Sequence, residues 1–272
     1  MSRFAPLKFL KRLAGMLLIF LGTTLSHFLV PGNRRSLWDR ANWLQRWSRR
    51  TLALLDIEVV VRGTEPVPGL ITSNHLSYLD VLVLSSIRPQ VFLAKNEVAG
   101  WPLFGAFARW AGTVFIDRRR RSEVSSKGVA FQEVVEAGLP VTVFLEGTTT
   151  DGSTVLPFRT ALLEPAIRTG WAITPCAIHY EAFGAEASDT LCYHGEMTLV
   201  PHLLTLMGRV DYSRAEVCFG EPVMREEDRK KLAADLHQKV VRMKREIEGK
   251  TVGGRRRADH QHDGPKDASL MS

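Results

Sequence analysis

From residue 57 onward, short runs rich in β-branched and aromatic residues recur: IEVVVRG, GLITS, VFLAK, GTVFID, VTVFLEG and WAITPCAI, with helix-length segments between most of them. Short strands separated by helices need crossover connections, so this alternation predicts an α/β fold built on a mixed, mainly parallel sheet flanked by helices. At 272 residues, 45% hydrophobic and 24% charged, the chain can fill one such core with appendages. That composition excludes a collagenous, wholly disordered or polytopic membrane protein. The folded domain is expected over 57–249. Within it, Ser122 to Ala137 reads as a helix capped by Ser122, ended by Gly138 and blocked by Pro140. A charged outer helix is expected over Glu226 to Glu248, and 250–272 is expected to be a disordered tail whose His260 and His262 are simply solvated.

Residues 1–56 form a different kind of segment. Up to residue 62 there are eleven Lys and Arg against three acids, more than the whole chain's net charge of +7, so the remainder is close to neutral. A nucleic-acid-binding domain would carry its positive charge on the folded core, and that class is set aside. Leu13 to Val30 holds eighteen residues without a formal charge, about 27 Å as a helix and slightly short of a roughly 30 Å hydrocarbon layer. No small-x-small cleavage site follows the basic Lys8, Lys11 and Arg12, which argues against a removable signal peptide. Basic residues flank both ends, favouring a shallow or re-entrant helix on the cytoplasmic leaflet. If this helix is instead buried in the protein, Thr23, Thr24, Ser26 and His27 need internal partners.

The stretch 36–55 repeats Leu37, Ala41, Leu44, Ser48, Thr51 and Leu55 at helical steps and holds three of the six tryptophans beside arginines. Two readings stand: a helix lying in the lipid headgroup layer, or one packed on the protein's own core. Three cysteines without a CxxC pair speak against a disulfide framework or a structural zinc site, and no metal ligand set is expected.

The candidate centre is Ser73-Asn74-His75-Leu76-Ser77-Tyr78-Leu79-Asp80, directly after the strand GLITS. Five residues apart in one helix, His75 and Asp80 would point about 140° away from each other. They meet only if His75 lies in the loop and Asp80 in the first helical turn, with Ser77 as N-cap. Asp80 could then orient the imidazole and leave its other nitrogen as a base. Ser77 and Asp80 also read as a near capping box, and both roles can coexist. Further on, Asp117-Arg118 ends a strand, and Arg118 is a candidate anion ligand while Arg119 to Arg121 read as a solvated run. The strand VTVFLEG leads into Glu146-Gly147-Thr148-Thr149-Thr150-Asp151-Gly152, a polar loop able to cradle an anion, followed by Arg159. It lacks the glycine and lysine pattern of a nucleotide P-loop and the carboxylates of a calcium loop. His179, His194 and His202 are assigned no role.

Over about residues 57 to 222 the chain resembles the glycerolipid acyltransferases typified by 1-acylglycerol-3-phosphate acyltransferase, the PlsC-like family. NHLSYLD is similar to its NHxxxxD block, GTVFIDR to its phosphate-contacting block, FLEGT to its FPEGT block and ITPCAI to its proline-containing strand. The resemblance implies a catalytic domain that moves a fatty acyl group from acyl carrier protein or coenzyme A to a lysophospholipid hydroxyl, with no cofactor. It implies His75 as base, Asp80 as its partner, Arg118 as a phosphate ligand, and Glu146, Gly147 and Thr148 in the acceptor site. Leu145 stands where the family has proline, and Thr149 where it often has arginine, so Arg159 is a candidate replacement. The form EGTTTDGSTVLPFR looks like a bacterial branch that includes acyltransferases for lyso-ornithine lipids. The leading expectation is acylation of 1-acyl-sn-glycerol-3-phosphate to phosphatidic acid, with lyso-ornithine lipid as the alternative acceptor. The setting implied is the cytoplasmic face of a bacterial inner membrane. With no GxSxG elbow, direct transfer without an acyl-enzyme is expected. A lipid-binding protein without catalysis and a hydrolase are the rival classes.

Overall fold

The computed structural model describes residues 5–29, 35–116, 130–209, 211–224 and 228–262, with backbone alone from residue 250. Two helices come first, α1 (Pro6–Phe28) and α2 (Leu37–Leu54). The alternating region follows: β1 (Ile57–Gly63), β2 (Gly69–Ser73), α3 (Leu79–Ile87), β3 (Val91–Lys95), α4 (Phe104–Trp110), β4 (Val114–Ile116), α5 (130–136) and β5 (Val141–Phe144). The chain continues through α6 (Glu164–Thr169), β6 (Ala172–Ala182), α7 (Ala187–Thr190), α8 (Leu199–Arg209), β7 (Ser213–Phe219) and α9 (Arg229–His262).

The strands form one sheet in the order β1-β7-β6-β2-β5-β3-β4. Each neighbouring pair is parallel except β6 with β7, so the sheet is mixed and mainly parallel as the alternation predicts. Its central strands β2, β5 and β6 are buried on both sides, which is why they read as nearly unbroken apolar runs. Leu70, Val141, Val143 and Ala177 pack on one face with α5, α6 and α9. Ile71, Phe144, Ile178 and Tyr180 pack on the other with α1, α2, α3 and α8. In the register, Ser73 at the end of β2 lies beside Phe144 at the end of β5. The loops leaving those two strands therefore emerge together at the carboxyl edge of the sheet, the usual place for a ligand in open α/β folds.

The basic amino-terminal helices share this core. The α2 stripe is buried at Ala41, Ser48, Thr51 and Leu55, so of the two readings the stripe adopts packing on the protein's own core. Ser36 and Asp39 close a capping box at its start. Two of the polar residues of α1, Thr23 and Ser26, find internal partners. Ser26 Oγ accepts from Trp43 Nε1 (2.9 Å) and Trp47 Nε1 (3.2 Å), and Thr23 Oγ1 donates to the Ile19 carbonyl. Arg12, 2% exposed, reaches the Leu55 carbonyl (2.8 Å), the Leu206 and Met207 carbonyls (3.3 Å each), the Asp211 carbonyl (3.0 Å) and Asp56 Oδ2 (2.9 Å). Its guanidinium thus sits where the carboxyl ends of α2 and α8 converge, the favourable pole for a cation.

Three expectations change. Ser77 does not cap α3: Tyr78 occupies the N-cap, and Ser77 Oγ is buried without a hydrogen-bond partner among the described residues. Asp80 instead accepts the backbone N–H of Ser77 (3.0 Å) and of Leu76 (2.7 Å), so only the carboxylate half of the box forms. The charged helix starts at Arg229, with Asp228 accepting from the Lys230 and Lys231 N–H groups, and it is not simply an outer element. Leu232, Leu236, Val240, Met243 and Ile247 form a buried stripe along it. Finally, α9 runs on to His262 rather than giving way to a coil at Gly249, because extending an existing helix requires no new nucleus. Residues 263–272 lie outside the described residues, as do 117–129, which contain Arg118 and the first half of the helix expected from Ser122. The end of that helix is described, and Gly138 closes it with a φ of +80°.

Candidate active site

His75 lies in the β2–α3 loop and Asp80 in the first turn of α3, the arrangement their spacing requires. His75 Nδ1 is 2.7 Å from Asp80 Oδ2. Asp80 is fully buried and His75 retains 20% side-chain exposure. Because a carboxylate oxygen accepts, the ring proton belongs on Nδ1, and Nε2 keeps its lone pair. The imidazole is stacked on Phe144 at 3.9 Å and 10°, which fixes the ring plane. Phe144 is the last residue of β5, so the strand beside β2 supplies the floor for a ring carried by the loop after β2.

Asp80 is held by more than the imidazole. Oδ2 also takes the Leu76 and Ser77 N–H groups, and Oδ1 accepts from Tyr180 Oη at 2.8 Å. Four donors converge on one buried carboxylate, which offsets its desolvation. Asn74 performs a related structural task. The β2–β6 ladder ends at Ser73 and Cys176, and the Asn74 amide continues it by donating to the Ile178 carbonyl (2.9 Å) and accepting the Ile178 N–H (2.8 Å).

The polar loop after β5 closes the other side. Glu146 is 2% exposed, and both of its oxygens accept backbone N–H groups, from His75 and Leu156, each at 2.6 Å. Burial raises its proton affinity and moves its pKa up to about 7, against the lowering effect of those two N–H bonds. Glu146 is therefore a strut joining the catalytic-type loop to the loop at residue 156. Gly147 turns the chain there with a φ of +77°, a conformation that disfavours any side chain. Thr148 is exposed, and the Thr150 N–H donates to the His75 carbonyl at 2.9 Å. Arg159 is exposed, its N–H bonded to the Leu145 carbonyl. Arg118 lies outside the described residues.

An apolar cavity opens between α1, α2, α3 and α4. Tyr78 and Leu79, three and four residues after His75, line it together with Met16, Phe20, Leu44 and Phe107. Its volume of about 190 Å³ exceeds the roughly 150 Å³ at which an apolar cavity stays dry and takes up hydrocarbon. The outer face of α1 is apolar as well, with Leu10, Leu17, Leu18, Leu21, Leu25 and Phe28 exposed.

An imidazole oriented by a carboxylate, with its second ring nitrogen left as an acceptor, is suited to removing a proton from an alcohol, and the loop that carries it leads through Tyr78 and Leu79 into the lining of an apolar cavity. Sequence reasoning brought out His75, Asp80 and Glu146 but missed Tyr180, Phe144 and Leu156. The last acts through a backbone N–H, which no residue type reveals.

Comparison with known proteins agrees with this chemistry. Residues 58–179 match the Acyltransferase family. The chain is 37% identical over 238 residues to a lyso-ornithine lipid O-acyltransferase of Brucella abortus, covering 79% of this chain and 88% of that protein. It is 33% identical over 251 residues to one of Rhizobium meliloti, covering 85% and 84%. A 1-acyl-sn-glycerol-3-phosphate acyltransferase of Neisseria meningitidis is 37% identical over 135 residues, 48% of this chain and 53% of that one. The crystal structure of the 1-acyl-sn-glycerophosphate acyltransferase PlsC from Thermotoga maritima shares the fold, with a TM-score of 0.66 at 18% identity over 89% of this chain and 95% of that one. The chain therefore belongs to the acyltransferase family, together with these bacterial lysolipid acyltransferases.

Proposed function

We propose that this protein transfers a fatty acyl group from a thioester, carried by acyl carrier protein or coenzyme A, to the hydroxyl of lyso-ornithine lipid. The observation that carries the reading is the His75–Asp80 pair at the carboxyl edge of the sheet, with Tyr78 and Leu79 of the same loop and helix lining an apolar cavity. His75 Nε2 takes the acceptor's hydroxyl proton as the oxygen attacks the thioester carbonyl carbon. The new C–O bond forms, the C–S bond breaks, and the imidazolium returns the proton to the departing thiolate. Asp80 holds the tautomer and balances the charge that develops on the ring. None of the three cysteines adjoins this cluster in sequence, and the transfer runs directly between bound substrates.

The choice of acceptor reverses the leading expectation from sequence. What supports it is that the lyso-ornithine lipid acyltransferases match over most of both chains, whereas the Neisseria enzyme matches over about half. Thr149 also stands where a phosphate-binding arginine follows EGT in the phosphatidic-acid-forming family. In this reading Arg118 and Arg159 serve a carboxylate-bearing headgroup, Thr148 lines its approach, and Glu146 with Gly147 shapes the loop. The second reading, 1-acyl-sn-glycerol-3-phosphate as acceptor, is favoured by the GTVFIDR block.

The apolar outer face of α1, flanked by basic residues, supports a position in one leaflet, the cytoplasmic one of a bacterial inner membrane. Arg12 ties α1 to the ends of α2 and α8, which favours a helix lying on the bilayer over one that crosses it.

The test measures thiol release from acyl carrier protein and coenzyme A thioesters with each acceptor in detergent. Turnover is expected with lyso-ornithine lipid and at least tenfold less with lysophosphatidic acid. The opposite order overturns the acceptor, thiol release without any acceptor marks a hydrolase, and none with either acceptor overturns acyl transfer.

A further inference from the structure

Tyr180 stands outside the sequence blocks that identify this site, near the carboxyl end of β6 and a hundred residues from Asp80. Its hydroxyl nevertheless donates to Asp80 Oδ1 at 2.8 Å, opposite the oxygen that holds the His75 ring. The contact is built by the fold. Asn74 clamps the β2–α3 loop to Ile178, two residues earlier in β6, and strand alternation then turns Tyr180 to the same face. Both partners are buried, Asp80 at 0% exposure and Tyr180 at 3%, so no water replaces either group if the other is lost.

We infer that Tyr180 is a positioning residue for acyl transfer, which fixes the second oxygen of Asp80 and so sets how strongly the carboxylate supports the His75 ring. Without the hydroxyl, Oδ1 is a buried carboxylate oxygen with no donor. The carboxyl group then leans its charge on the remaining donors, of which the imidazole is the one that changes protonation during turnover.

The other groups facing the pair do not replace this control. From the loop after β5, Glu146 engages backbone N–H groups rather than the imidazole. Cys176 of β6 and Cys192 after α7 are thiols that burial keeps protonated, the second with its pKa pushed up to about 12. Lys244 of α9 acts on Glu146 from a distance and is bonded to Glu248. Tyr180 itself is pushed well above the ordinary tyrosine range, first by burial and then by Asp80, so it remains a donor at any working pH.

The inference rests on the acyl-transfer reading, and its test separates the two. The pH dependence of kcat/KM is measured by thiol release for the full-length enzyme and Tyr180→Phe. In the variant the electron-rich carboxylate stabilises imidazolium, so the acid limb moves up by about half a unit to one unit. At the plateau kcat falls about three- to tenfold, while KM for thioester and acceptor stays within twofold. Should Tyr180→Phe fold poorly, 3-fluorotyrosine at the same position, a stronger donor, moves the limb to lower pH. An active wild type with an unmoved limb in either variant overturns the role of Tyr180. A wild type without thiol release overturns acyl transfer itself.

Discussion

Replacing Asp80 by Asn separates the charge of this residue from its hydrogen bonds. Asp80 Oδ2 accepts from His75, Leu76 and Ser77, and Oδ1 from Tyr180. Three donors meet one position, so an asparagine places its oxygen there and its NH2 group toward Tyr180. The tyrosine hydroxyl rotates to accept, and every bond survives in number. What changes is strength. A hydrogen bond to a charged group is worth about 1.5–3 kcal/mol against about 0.5–1.5 for a neutral one, a difference of about 1–2 kcal/mol at the imidazole. At 1.36 kcal/mol per decade this is a loss of roughly 5- to 30-fold in kcat/KM. The acid limb of the pH profile moves to lower pH, since imidazolium loses its counter-charge. Stability changes little, because relief of the buried charge offsets the weaker bonds. Asp80→Ala is a different experiment: it strands two buried N–H groups and a buried hydroxyl, each costing about 1–3 kcal/mol, and fails by unfolding. Asp80→Asn is assayed by thiol release with thermal unfolding in parallel. A folded variant as inactive as one lacking His75 refutes the orienting role.

His75→Ala removes the base and is expected to lower kcat by roughly two to four orders of magnitude with unfolding unchanged; near-wild-type turnover ends the proposed mechanism. Arg12→Ala leaves the Leu55, Leu206 and Met207 carbonyls without their donor and removes a partly exposed ion pair to Asp56, costing about 2–4 kcal/mol in denaturant unfolding. An unchanged midpoint would show that α1 is not tied to the domain. Glu146 has its pKa raised to about 7, so its contribution to stability is full below the unfolded carboxyl range near 4.5 and is lost as pH rises through 7. The loss is on the order of 2–3 kcal/mol. Glu146→Gln should flatten the stability profile between about pH 5 and 8, and an unaltered slope excludes Glu146 as its source.

The parts of the fold legible in sequence are those where one physical rule dominates. Strands buried on both faces must be apolar throughout, so Leu70, Ile71, Val141 and Val143 announce themselves although they face opposite clusters. Helix ends with a left-handed residue need glycine, and Gly138 marks the close of α5. The α2 stripe was undecided because a helix face turned to lipid and one turned to a core carry the same period, and only α3 packing against it distinguishes them. Of the two roles open to Ser77 and Asp80, the serine's fails because the Asp80 N–H that its hydroxyl would cap donates to the Ser77 carbonyl instead (3.1 Å).

At the site, legibility follows sequence distance. His75 and Asp80 sit five residues apart, so a loop and one helical turn suffice to test whether they meet. Tyr180 meets Asp80 only because β2 and β6 are neighbours in the sheet, a pairing that no local pattern encodes. Arg12 is harder still, since its partners are main-chain carbonyls at the ends of two helices, and carbonyls have no signature in a sequence. An arginine inside an apolar helix reads as a lipid-facing charge, whereas the fold uses it to gather the ends of α2 and α8 and the Asp211 carbonyl. The same helix therefore presents leucines to the outside and a structural cation to the inside, and a substitution at Arg12 is expected to loosen the cavity wall before it alters any affinity for a bilayer.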